Sequence, residues 1–215
     1  MEFLEPNLAK YIEQHTDNEP ELLKKLNRET QLKVLMPRMI SGHFQGRVLS
    51  MLMKMIRPSS ILEIGTYTGY SALCMAEGLT ENGTLTTIDI NVELEDLVRK
   101  YFNESEYASK LNYLLGDAKN IIPTLNDKYD VVFIDADKEN YAMYYDLIFD
   151  KINTGGYIIA DNVLWSGKVV AENIKIDKDT KALLDFNDKV QADPRVENVL
   201  FPIRDGLLIA RKINN

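Results

Sequence analysis

The sequence predicts an α/β protein: a mostly parallel sheet with an antiparallel hairpin near its C-terminus and extra helices at its N-terminus. Three observations carry this. From Ile61 onward, short apolar, β-branched runs alternate with segments of helical spacing. A carboxylate falls at or just past the end of each of the first five runs: Glu63, Asp89, Asp117, Asp135 and Asp161. Last, two β-branched runs flank Pro202-Ile203-Arg204-Asp205-Gly206, where the Asp-Gly pair reads as a hairpin signal.

The 215 residues are 45% hydrophobic, enough for one domain with a full core. Residues 1–57 read as a helical cap and 58–215 as an α/β core. No apolar run approaches the ~20 residues of a membrane span, and M-E-F-L-E-P-N lacks the pattern of a signal peptide. A cytoplasmic protein without a membrane partner is expected. Cys74 stands alone as cysteine, which excludes an internal disulfide and a thiolate cluster, and it reads as a small core residue. The net charge of −8 and pI of 4.9 argue against a nucleic-acid partner. His15 and His43 are isolated and read as surface or hydrogen-bonded side chains.

Taken in order, Leu8, Tyr11 and Ile12 have helical spacing, as do Leu22, Leu23 and Leu26, with Pro20 suited to a helix start. A third helical pattern spans Met36 to Ile56 through Met39, Phe44, Val48, Leu49, Leu52 and Met55. Strands are expected near Ile61–Ile64 and at Leu85–Ile88, Leu111–Leu115, Val131–Ile134 and Tyr157–Ala160. Helices are expected at Tyr70–Leu79, Leu94–Phe102, Ile121–Leu125 and Tyr141–Ile152. A mixed acidic and basic stretch runs to Lys181, then come a helix at Leu183–Ala192 and strands at Val196–Phe201 and Leu207–Ala210. Parallel strands of this kind are covered on both faces by helices.

The stretch I-L-E-I-G-T-Y-T-G-Y-S, Ile61 to Ser71, organises the chain. It reads as a buried strand, a tight turn and the first turn of a helix. Gly65 and Gly69 permit unusual dihedrals and a close approach to a ligand, and the helix start offers N–H groups to an anionic part of it. G-Y-S in place of G-K-[ST] excludes a phosphate-binding P-loop. Tyr67 stands where a dinucleotide fingerprint needs its second glycine, which weakens a nicotinamide site. Glu63 at the strand end suits a cationic ligand group such as the amino group of S-adenosylmethionine (SAM). Asp89, at the end of the next strand, suits ribose hydroxyls, and Asp117-Ala118 an adenine.

Asp135 and Asp161-Asn162 end neighbouring strands and offer two carboxylates and an amide oxygen. Oxygen-only donors suit Mg²⁺, Mn²⁺ or Ca²⁺, with room for an acceptor that carries two adjacent oxygens. Zinc usually recruits histidine or cysteine. Lys138 follows Asp135 by three residues and is placed to take a proton from a hydroxyl whose pKa a metal lowers.

These blocks together resemble the class I SAM-dependent O-methyltransferases, and within them the cation-dependent group that includes the caffeoyl-CoA and catechol enzymes. The resemblance rests on E63-I-G-T-Y-T-G-Y-S71, F133-I-D-A-D-K138 with Asn140-Tyr141, and A160-D-N-V-L-W-S-G167. M39-I-S-G-H-F-Q-G46 and Asp205-Gly206 also fit. It implies a Rossmann-like methyltransferase fold with a seven-stranded sheet. Met39 and Ser41 are implied near the methionine part of SAM. Glu63, Gly65 and Ser71, with Thr66 and Tyr67 of the same turn, are implied at its amino-acid end. Asp89 is implied at the ribose, Asp117 and Ala118 at the adenine, and Asp135 and Asp137 also beside the cofactor. Asp135, Asp161 and Asn162 are the implied ligands of a divalent cation, Mg²⁺ foremost. Lys138 matches the catalytic base, beside Asp135. Ser166 departs from the asparagine of plant caffeoyl-CoA enzymes, and His43-Phe44 from their acidic segment, so a smaller catechol-like phenolic acceptor is expected. A homodimer is implied as well. The alternatives are a tRNA hydroxyuridine O-methyltransferase, which some bacterial members are, and a nicotinamide-dependent oxidoreductase on a similar sheet.

Overall fold

The computed structural model describes residues 5–171 and 176–214. The readings that touch residues 1–4 and 172–175, the start of the N-terminal cap and part of the charged stretch before Lys181, lie outside them. The chain divides into two compact units, Glu5–Asp117 and a second from Ala118 onward.

The first unit holds helices α1 (Pro6–Gln14), α2 (Glu21–Lys33) and α3 (Gly42–Ile56), with a 3₁₀ turn at Pro37–Met39. Strand β1 (Ser60–Ile64), helix α4 (Tyr70–Ala76), strand β2 (Thr84–Asp89), helix α5 (Glu95–Glu104) and strand β3 (Leu111–Leu115) follow. The strands run parallel in the order β3-β2-β1. Pro6 opens α1, where its missing N–H costs nothing, and the Glu5 carboxylate accepts from the Leu8 amide. Pro20 is the N-cap of α2.

The helical pattern expected from Met36 to Ile56 is shorter as found: α3 begins only at Gly42, after the 3₁₀ turn. Its buried residues are Gln45, Gly46, Leu49, Ser50 and Met53, so only Leu49 is shared, and Met55 is 73% exposed. The reason is close helix packing. A Cβ on Gly46 would lie 2.7 Å from the Tyr70 ring and 2.8 Å from Cys74 Sγ, and one on Gly78 would lie 2.2 Å from the Met53 carbonyl carbon. Gly46 and Ser50 therefore lie in this seam beside Leu49 and Met53, while Met51 and Met55 are exposed. Cys74 is buried in this seam as expected, and burial pushes its thiol up to about 12. The seam is tied by Glu77, which accepts from Arg47 (2.5 and 3.0 Å), Ser50 (2.7 Å) and Lys54 (2.9 Å). His43 Nε2 lies 2.6 Å from the Asp17 carbonyl, and exposed His15 bonds the Tyr11 carbonyl at 2.7 Å.

The second unit holds α6 (Ala118–Ile121), β4 (Tyr129–Ile134), α7 (Tyr141–Phe149), β5 (Ile152–Asp161), α8 (Lys178–Ala192), β6 (Val196–Phe201) and β7 (Leu207–Lys212). The strand order is β4-β5-β7-β6. Helix α7 ends at Phe149, before the expected Ile152, because Ile152 already opens β5 opposite Tyr129. The register shifts between Tyr129 and Val131, and Gly155 takes a φ of 87° there, so the early part of β5 does not read as a strand in sequence. Buried Lys212 fixes the junction by donating to the carbonyls of Phe149 (3.0 Å) and Ile152 (3.1 Å), which complements the helix C-terminus. The C-terminal pair is antiparallel as expected. Its edge member is β6, however, and β7 lies between β5 and β6, antiparallel to both. The seven strands, antiparallel at β7, with helices between them are the predicted class. Among the described residues no helix is long and apolar enough to cross a membrane.

The Glu77 cluster gives a pH-dependent expectation. Burial raises its pKa, but Arg47, Lys54 and Ser50 outweigh this and hold it below 4.5. A carboxylate lowered in the native state stabilises the fold above its unfolded pKa, and the contribution is lost as pH falls through the native value. Glu77→Gln should cost about 2 kcal/mol at pH 7, with a smaller gap to the native chain below pH ~4. Urea unfolding at both pH values measures this, and an equal gap at each contradicts it.

Candidate active site

In the first unit the strand tips carry carboxylates that neighbouring groups hold in place. Glu63 is fully buried on β1 and stands in register opposite Thr87 of β2. Its Oε2 accepts from Thr87 (2.5 Å) and its Oε1 from Ser71 at the start of α4 (2.5 Å). Thr66 bonds Thr87 in turn (2.5 Å). These hydroxyls replace the water that the carboxylate lost on burial. The connecting turn is left-handed at Gly65 (φ 100°), Tyr67 (50°) and Gly69 (87°). At Gly69 a Cβ would also meet the Phe102 ring at 2.6 Å. Tyr67 takes the conformation usual for glycine because two bonds hold it. Its N–H donates to Asp89 Oδ2 (2.6 Å) and its hydroxyl to the Met36 carbonyl (2.8 Å). Asp89 Oδ1 accepts from the Asn91 amide (2.8 Å). The structure thus joins Glu63, Thr66 and Ser71 in one cluster and Tyr67 with Asp89 in a second. Ser41 is buried just before α3, whereas Met39 is 57% exposed on the 3₁₀ turn. Asp117 closes this unit and is half-buried.

In the second unit Ala118 is buried as the first residue of α6. Strands β4 and β5 pair Ile134 with Ala160, so Asp135 and Asp161 are the next positions on adjacent strands. Asp161 is 2% exposed, and its Oδ1 accepts from the Asn162 amide (2.7 Å). Asn162 turns the chain at φ 60°, a conformation asparagine tolerates better than most residues. Lys138 is buried at the 3₁₀ turn before α7, and its Nζ donates to Asp135 Oδ1 (3.1 Å) and the Tyr141 hydroxyl (2.6 Å). Tyr141 is fully buried and donates to the Asp161 carbonyl (3.0 Å). Burial, with Asp135, Asp161 and Asp137 nearby, holds its phenol well above the ordinary value. Exposed Asp137 accepts from Tyr144 (2.6 Å) and from Asn140 on its other oxygen. Among the described residues no group of three or more His, Cys, Asp and Glu is arranged to hold a metal. The expected donor set has two carboxylates and needs the Asn162 amide as its third oxygen.

Some supporting residues escape a reading of the sequence. Thr87 looks like an ordinary strand residue until the register sets it against buried Glu63. Tyr144 looks like one more aromatic of α7. Asp205 resembles a turn residue, yet its carboxylate accepts from the Ser166 amide and its carbonyl from Leu164 N (2.9 Å). It thereby holds a loop with three successive left-handed residues, Trp165, Ser166 and Gly167. The only sequence signal for this was the Asp-Gly pair.

The parallel strands, the glycine turn after β1 and the acidic strand tips define a SAM methyltransferase fold. Solved structures of that fold agree: the SAH-bound Podospora anserina methyltransferase PaMTH1 is 26% identical, with a TM-score of 0.88 over 96% of this chain and 94% of that one. The cofactor-bound Rv0187 from MTB is 25% identical, with a TM-score of 0.90 over 100% of both chains. Residues 13–213 match the family described as O-methyltransferase, and the chain belongs to that family of SAM-dependent enzymes. Among curated relatives, caffeoyl-CoA O-methyltransferase 5 of Nicotiana tabacum is 35% identical over 91% of this chain and 85% of the relative. Caffeoyl-CoA O-methyltransferase 1 of Arabidopsis thaliana is 34% identical over 91% and 80%.

The Asp205 clamp yields a local expectation. Asp205→Ala removes a charge-assisted bond worth about 2 kcal/mol, so the Ser166 amide should exchange hydrogen roughly 30-fold faster while strand amides change little. Uniform acceleration across the unit would show that Asp205 supports the whole unit and not this loop.

Proposed function

We propose that the enzyme methylates one hydroxyl of a small catechol-like acceptor with SAM as donor and a divalent cation as cofactor. Mg²⁺ is the first choice, with Mn²⁺ or Ca²⁺ as alternatives. In this reading Asp135, Asp161 and Asn162 hold the cation. The donor chemistry fits: three hard oxygens, with no sulfur or imidazole. The observation that carries the reading is the succession of Asp135 and Asp161 at adjacent strand tips, with Lys138 Nζ 3.1 Å from Asp135. When bound, the cation supplies the positive charge that lowers the pKa of an acceptor hydroxyl. Lys138 then takes the hydroxyl proton on Nζ. The acceptor oxygen attacks the sulfonium methyl in line, and the electron pair of the breaking C–S bond returns to sulfur. The protein contributes mainly alignment and charge stabilisation.

The first unit supports the donor side. Asp89 is fixed by Tyr67 and Asn91, and each of its oxygens keeps a second lone pair for a ribose hydroxyl. Ser41, Glu63, Gly65, Thr66, Tyr67 and Ser71 are assigned to the amino-acid end, with Met39 nearby. Asp117 and Ala118 are assigned to the adenine, and Asp137 is assigned beside the cofactor. The curated relatives carry caffeoyl-CoA in their names, but Ser166 in place of asparagine favours a smaller acceptor here. A second copy of the chain is the proposed partner, supported by the exposed apolar side chains Leu35, Met51 and Met55.

A methyl-transfer screen over catechols, hydroxycinnamates and total tRNA, with Mg²⁺ or with chelator, tests the function. Catechol methylation that chelator abolishes is the expected result, and transfer to tRNA alone would replace the acceptor assignment. Asp135→Ala and Asp161→Ala should each lower turnover at least 100-fold while calorimetry still detects SAM binding. Full activity of either variant in chelator sinks the metal role. For Lys138→Ala, a loss of about 100-fold or more with an altered pH–rate profile is expected, and an unchanged profile rules out the base.

A further inference from the structure

Lys138 Nζ has two oxygen acceptors, Asp135 Oδ1 at 3.1 Å and the Tyr141 hydroxyl at 2.6 Å. Tyr141 has a single proton, which it gives to the Asp161 carbonyl at 3.0 Å, with the Ile134 carbonyl farther off at 3.4 Å. Its oxygen therefore meets Nζ through a lone pair and acts there as an acceptor. The ring cannot swing away. It is fully buried and packs edge to face on Phe186 of α8, with centroids 5.4 Å apart at 86°. The hydroxyl is thus anchored to the main chain at the tip of β5.

We propose that Tyr141 is a positioning residue that aims Lys138. The nitrogen of lysine is tetrahedral, with Cε and three further directions. With Asp135 and Tyr141 each accepting one N–H, two of those directions are fixed and one is left for exchanging a proton with an acceptor hydroxyl. Without the Tyr141 hydroxyl, one N–H loses its acceptor and the nitrogen rotates among orientations, most of which turn that third direction elsewhere. Lys138 is only 8% exposed, so water cannot readily take over that bond. This inference rests on the reading of Lys138 as the base.

Tyr141→Phe removes the hydroxyl and keeps the ring. Placed in native and Lys138→Ala backgrounds, it forms a double-mutant cycle. In the native background kcat should fall about 10- to 100-fold with KM for SAM unchanged. In the Lys138→Ala background it should have no further effect. An equal loss in both backgrounds would show that Tyr141 acts independently of Lys138 and would overturn the proposal. Full activity of Lys138→Ala alone would instead overturn the base reading, and the aiming role with it. A second readout does not depend on turnover. In NMR spectra of protein labelled at lysine Cε, the signal missing from Lys138→Ala identifies Lys138, and Tyr141→Phe should move that signal while leaving the other lysines in place. An unmoved signal also overturns the proposal. Tyr141→Met, a second variant without the hydroxyl, should give the same kcat loss and the same shift, and serves if Tyr141→Phe does not fold.

Discussion

A carboxylate buried at the end of a parallel strand must find hydrogen-bond donors in the protein, and this requirement shapes both units. Glu63 has no access to water, so β2 supplies Thr87 and α4 supplies Ser71. That pairing fixes the register of β1 against β2 and the start of α4 in one stroke. Loss of either bond would remove one donor from a fully buried carboxyl group, at a cost of a few kcal/mol. Asp161 meets the same constraint differently. It takes the amide of its own neighbour, and the chain turns left-handed at Asn162 to allow it.

The second unit adds a layer beneath its acids. Tyr141 and Tyr144 both rise from α7, one to Lys138 and the Asp161 carbonyl, the other to Asp137. One short helix thereby sets the geometry of three groups that the proposed chemistry uses. This is support from a rigid element, which holds reacting groups more closely than a loop can. Across the strand tips, Asp205 and Gly206 hold the loop from Asn162 to Gly167: Val163 N donates to the Gly206 carbonyl at 3.3 Å, and a Cβ on Gly206 would lie 2.5 Å from Leu164 Cγ.

Much of this was legible in the sequence because it follows from period and chemistry. The strands, the acids at their ends and the turn from Gly65 to Gly69 were all readable from local pattern. What escaped was what depends on neighbours distant in the chain. The buried face of α3 could not be read from its apolar residues alone, since Gln45, Gly46 and Ser50 share it with Leu49 and Met53. The start of β5 was hidden because the register shift after Tyr129 and the left-handed Gly155 interrupt its pattern, and the bonds that tie it to the end of α7 come from Lys212, some sixty residues on. The hairpin was recognised but not the insertion of β7 between β5 and β6, because strand order is a property of the sheet and not of the turn. The partners of Glu63, Asp137 and Ser166 were missed for the same reason: threonine, tyrosine and aspartate are too common to signal a role until the fold supplies their neighbour.

Tyr67 bears on how this turn can change over generations. Its backbone conformation is one that glycine adopts more easily, so replacement by glycine would relax the turn. Yet the side chain is also a strut from the turn to the Met36 carbonyl, next to the 3₁₀ segment that leads into α3. A drift toward the double-glycine signature of dinucleotide enzymes would therefore relieve local strain and detach that segment together. The tyrosine is tied at its far end, so a change at this position reaches a segment some thirty residues upstream as well as the turn itself.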